Sequence, residues 1–115
     1  MKKYIYLAAL VIPALAYLGC DSTTYQEIAD DTANPVYNIH IKPIIENNCA
    51  SCHNPENGQQ PYYQTYEEVK TVTLAGPLIC RIDETCGSVM PPTGRMPQTT
   101  IDIIKRWRDQ GCPEN

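Results

Sequence analysis

Cys49-Ala50-Ser51-Cys52-His53 is the stretch whose reading decides this chain. Residues at i, i+3 and i+4 share one face of a helical turn. Two thiols and an imidazole can therefore address one ligand from one side. Three chemistries use such a cysteine pair. A thioredoxin-like redox pair follows a strand in a βαβ unit, and no such pattern precedes Cys49. A structural zinc needs a second ligand pair at comparable spacing, and Cys80, Cys86 and Cys112 form no second close pair. The third is c-type haem attachment, whose signature is Cys-x-x-Cys-His. It needs Cys49 and Cys52 as soft nucleophiles for thioether links to the haem vinyl groups, and His53 as the proximal iron ligand. A single such element and no internal repeat predict one covalent haem c in one domain.

The N-terminal segment reads as targeting. Lys2 and Lys3 precede an uncharged apolar run over residues 4–18. A transmembrane helix needs about 20 apolar residues, so this run fits the core of a signal peptide better. It ends in Tyr17-Leu18-Gly19-Cys20, which resembles the lipobox of bacterial lipoproteins. That resemblance implies that Cys20 is diacylated and becomes the first residue of the mature chain; Tyr17 departs from the usual aliphatic residue. The alternative is cleavage after Ala14-Leu15-Ala16, which would release a soluble periplasmic protein. The expected organisation is a signal peptide over 1–19, a flexible polar tether over 20–34 and a folded domain over 35–115. The product would be exported to the periplasmic side or cell envelope and held on the membrane by lipid. Such a compartment permits disulfides.

The 115 residues include one Trp, eight Tyr and no Phe. A domain spanning 35–115 is near the size at which a protein core alone is marginal. A covalently held porphyrin would supply the missing apolar mass. The formal net charge is −4, and loss of Lys2 and Lys3 makes the remainder more negative. The absence of a basic patch argues against nucleic acid as a partner. A redox protein with a basic docking patch would be steered toward this surface.

Periodicity predicts an all-α domain of three to four helices. Asn34-Pro35 begins the first ordered segment, with Asn as a cap and Pro at a favoured first position. Pro43 interrupts the stretch 37–48, so the better helix starts near Lys42 and runs into Cys49, with Ile39, Ile41, Ile44 and Ile45 on its apolar side. Thr65 and Glu68 have capping-box spacing ahead of Tyr66, Val69 and Val72. A short segment over 78–82 follows the Gly76-Pro77 break. The last helix is expected to be capped by Thr99 and stopped by Gly111, with Ile101, Ile104 and Trp107 as its apolar stripe beside Ile103. No hairpin signal appears.

A six-coordinate haem needs a second axial ligand. Met90 lies in Met90-Pro91-Pro92 on the Pro/Gly-rich stretch 84–98. Prolines restrict such a loop, and a thioether favours ferrous iron. Met96 also precedes a proline, and His40 would give bis-histidine ligation; both stand as alternatives to Met90.

Lys42-Pro43-Ile44-Ile45, Asn48-Cys49-Ala50-Ser51-Cys52-His53, Tyr66-Glu67-Glu68-Val69, Met90-Pro91-Pro92 and Ile103-Ile104-Lys105-Arg106-Trp107 with Gly111, in that order, resemble the small class I monohaem c-type cytochromes. The resemblance covers residues 36–115. It implies a cytochrome c fold of three to four helices around one haem, the first and last crossing at a haem edge. His53 and Met90 would be axial ligands, with Trp107 near the haem. It implies electron transfer without a small-molecule substrate or catalysis. The alternatives are a fixed relay subunit of a larger oxidoreductase, and a haem peroxidase or gas sensor with a labile methionine. Cys80, Cys86 and Cys112 lie outside the usual pattern. A Cys80–Cys86 bridge would stiffen the loop before Met90, while Cys80–Cys112 and Cys86–Cys112 remain open.

Overall fold

The computed structural model describes residues 32–115. The signal peptide, Cys20 and residues 20–31 of the expected tether lie outside the described residues. Four α-helices are present among the described residues: α1, Lys42–Asn48; α2, Tyr66–Leu74; α3, Leu78–Ile82; and α4, Gln98–Asp109. No strand occurs among the described residues, so the class is all-α.

A π-helical turn, Tyr37–Ile41, precedes α1. Its wide bond runs from Ile41 N–H to Val36 C=O at 3.4 Å. Pro43 has no N–H with which to continue an ordinary ladder through this stretch, and a wider turn is one way to enter the helix. Tyr37 and Ile41 are thereby buried. Ile39, expected on the apolar side, is instead 66% exposed. The extra residue per turn rotates it away from the face that Ile41 and Ile45 share.

Thr65 caps α2 as expected. Its hydroxyl accepts from Glu68 N–H at 3.3 Å, and the Glu68 carboxylate accepts from Thr65 N–H at 2.9 Å. At the other end, a Cβ on Gly76 would meet the Val72 carbonyl oxygen at 2.8 Å, so the break before α3 requires a glycine.

α4 begins earlier than expected. Thr99 lies inside it rather than at its cap; the N-cap is Pro97, which makes no side-chain bond. Pro97 is preset near helical φ, and its carbonyl accepts from Thr100 and Ile101 N–H at 3.0 and 3.2 Å. The helix ends at Asp109, and the chain turns away at Gly111, whose φ of +82° an ordinary residue adopts only with strain.

The core joins Ile41 and Ile45 with Val69, Ile82, Ile101, Ile104 and Trp107, all at most 1% exposed. Tyr37 sits between Tyr66 and Trp107, with ring centroids 5.2 and 6.0 Å away. The C-terminal tail closes this end. Pro113 C=O accepts from Tyr37 N–H at 2.9 Å and from the Trp107 indole at 2.8 Å. Residues 32–34 of the expected tether also meet α4: Arg106 donates to Thr32 C=O at 3.1 Å and Gln110 to Ala33 C=O at 2.9 Å.

Candidate functional site

α1 stops at Asn48, and the cysteine motif forms a hydrogen-bonded turn beyond it. Cys52 and His53 N–H both donate to Cys49 C=O, at 3.2 and 2.9 Å. The turn is held by two asparagines. Asn54 donates to Ala50 and Ser51 C=O, both at 3.0 Å, and Asn57 donates to Ser51 C=O at 2.8 Å. Asn side chains bonding nearby backbone are a recognisable turn signal.

Cys49 is half-buried and Cys52 exposed, and neither is in a disulfide. Burial pushes the Cys49 thiol up to about 11. It is therefore a neutral thiol near neutral pH. Among the described residues, no group of three or more His, Cys, Asp or Glu converges to hold a metal ion.

His53 Nδ1 lies 2.9 Å from Pro61 C=O. A carbonyl can only accept, so Nδ1 carries the proton, and a neutral ring keeps its lone pair on Nε2. A carbonyl bonded to the far nitrogen is the usual means of fixing a metal-ligating histidine. Tyr63 adds an edge-on ring contact at 5.1 Å. Burial, aided by Cys49, pushes its phenol up to about 12, so it stays neutral.

These groups line a cavity of about 460 Å³, within the roughly 300–1,000 Å³ range of small-molecule and cofactor sites. Cys49, Cys52, His53 and Tyr63 line it together with Leu78, Ile82 and Met90. The structure thus gathers four of the residues singled out from sequence: both thiols, the histidine and Met90. Met96 does not line the cavity; it is 6% exposed and belongs to the core cluster. His40 lies on the π-helical turn, where Nδ1 accepts from Val36 N–H at 3.1 Å. Trp107 is part of the core rather than the lining.

Met90 is tied to α3. Its N–H donates to Arg81 C=O at 3.3 Å. Cys80 is disulfide-bonded to Cys86, closing the loop just upstream, and Cys112 is a buried free thiol. Replacing both Cys80 and Cys86 by Ser is expected to lower the unfolding free energy by about 2 kcal/mol, the loop-closure entropy for so short a ring. A urea titration measures it; an unchanged midpoint would mean that the backbone bonds alone hold the loop.

No family model, curated protein or solved structure matches this chain.

The donor set fits haem c. It offers two unpaired thiols at attachment spacing, an imidazole with its proton fixed on the far nitrogen, and a thioether on the same cavity. Leu78, Ile82, Pro61 and Pro91 add apolar lining. The sequence did not indicate Pro61 as the histidine's partner, since a backbone acceptor leaves no side-chain signal.

Proposed function

We propose that this chain is an exported, lipid-anchored monohaem c-type cytochrome of class I type that carries electrons between membrane-associated or periplasmic redox partners. The observation that carries the reading is the convergence of Cys49, Cys52, His53 and Met90 on one cavity. Cys49 and Cys52 would each hold the porphyrin through a thioether. His53 Nε2 would bind iron, oriented by the Pro61 carbonyl, and Met90 Sδ would bind the other axial position. Leu78, Ile82 and Tyr63 would pack against the porphyrin. The bound haem supplies a reversible one-electron couple, and the chain needs no substrate pocket beyond it. A lipid at Cys20 would confine the protein to a membrane surface and raise its effective concentration beside membrane-bound partners.

The test is a visible spectrum of the periplasmically matured protein, oxidised and dithionite-reduced, with a denaturing gel stained for covalent haem. Sharp reduced α and β bands and haem that stays with the polypeptide are expected. Cys49→Ser with Cys52→Ser should release the haem on denaturation. A high-spin spectrum in both oxidation states would turn the assignment toward an open-site catalyst or sensor. Absence of haem would refute it and return the two thiols to other chemistry.

A further inference from the structure

Among the described residues that line the cavity, Arg81 alone carries a permanent charge, and none is a carboxylate. Its acidic neighbours in sequence are engaged elsewhere: Asp83 with Lys105 at 2.6 Å, and Glu84 with Arg95 at 3.8 Å. Among the described residues, no carboxylate forms an ion pair with the Arg81 guanidinium. One donor is accounted for: Nη1 donates to Ser88 C=O at 3.1 Å. The guanidinium also lies where a side chain at position 87 would stand, so Gly87 is what leaves room for it. A guanidinium has five N–H donors in a planar fork, a geometry that matches a carboxylate. Arg81 is half-buried at the edge of a largely apolar space, so an acidic group seated there would meet a positive charge that no protein carboxylate pairs with.

We propose that Arg81 binds a carboxylate of the group seated in this cavity, and thereby fixes the rotation of that group relative to Met90. The inference rests on the haem reading above, under which the carboxylate is a haem propionate. Arg81 is then a positioning residue with two contacts: its guanidinium holds the acidic substituent, and its carbonyl holds the Met90 N–H at 3.3 Å.

The test is the reduction potential of the mature holoprotein as a function of pH, in the parent, Arg81→Gln and Arg81→Lys. In the parent, the paired carboxylate stays ionised to low pH. In Arg81→Gln its ionisation should move up by about 1–3 pH units. The potential should then fall as pH rises through that new inflection, because the deprotonated carboxylate disfavours the added electron. Arg81→Lys keeps the charge and should return the inflection toward the parent's. The other groups lining the cavity do not produce this inflection: Cys49 and Cys52 are thioethers in the holoprotein, His53 is iron-bound, and the Tyr63 phenol is pushed up to about 12.

An Arg81→Gln inflection at the parent's pH overturns the assignment, even if the variant is less stable. Should Arg81→Gln not mature, infrared titration of the carboxylate bands in the parent decides. Ionisation below the ordinary carboxylate value of about 4.3 supports the pairing, and ionisation at or above it overturns it. A parent without haem overturns the functional reading and this inference with it. A haem-loaded protein whose inflection ignores Arg81 overturns only the inference.

Discussion

Met90→Ala is expected to abolish the weak far-red thioether–iron band of the oxidised protein and to lower the reduction potential, whereas Met96→Ala should leave both in place. Sequence alone offers two methionines, each followed by proline. Their environments separate them: Met90 lines the cavity beside His53, and Met96 is 6% exposed within the core. Loss of a thioether removes the ligand that favours ferrous iron, hence the direction of the potential change. The cost of Met96→Ala should appear instead in stability, at about 2–5 kcal/mol for truncating a buried methionine. Spectra and thermal melts of both variants make a crossed test. A far-red band that survives Met90→Ala and disappears in Met96→Ala would exchange their roles, and would require the segment around residue 96 to leave the core.

Trp107→Ala is expected to have the largest effect on stability. The side chain is fully buried, contacts Tyr37 at 6.0 Å between ring centroids and donates its indole proton to Pro113. Truncating a buried tryptophan costs about 3–5 kcal/mol, against a total of about 5–15 kcal/mol for a typical domain. Each kcal/mol corresponds to about 4–8 °C at this size, so the thermal midpoint should fall by about 12 °C or more. Trp107→Phe keeps much of the apolar area and loses the indole bond, a smaller loss of about 1 kcal/mol before any repacking. A Trp107→Ala protein melting within a few degrees of the parent would mean that this aromatic cluster does not hold the core together.

The parts legible in sequence were those with local signals. Thr65 and Glu68 announce the start of α2 because both capping bonds span only three residues. The stripe Ile101, Ile104 and Trp107 is buried as its spacing predicts. The cysteine motif, His53 and Met90 were identifiable by residue type, and they meet at one cavity. Where the backbone departs from regular geometry, the sequence misled. Ile39 looks inward on a 3.6-residue period, but the π-helical turn carries it out to solvent. Thr99 looks like a cap by composition, yet Pro97 has already begun the helix. The supports of the site were hardest to foresee, since the Pro61 and Arg81 carbonyls act through backbone oxygens that any residue possesses. Arg81 itself shows no charge pattern in sequence; its significance comes from lining the cavity while its acidic neighbours bind other cations.

Pro113, near the end of the chain, has one carbonyl oxygen that accepts both the Tyr37 amide and the Trp107 indole. The first turn of the domain, its last helix and its tail therefore share a single acceptor. Peeling the tail away frees both protons at once. Their exchange with solvent deuterium is thus coupled: Tyr37 and Trp107 belong to one cooperative unit, although they stand 70 positions apart in sequence.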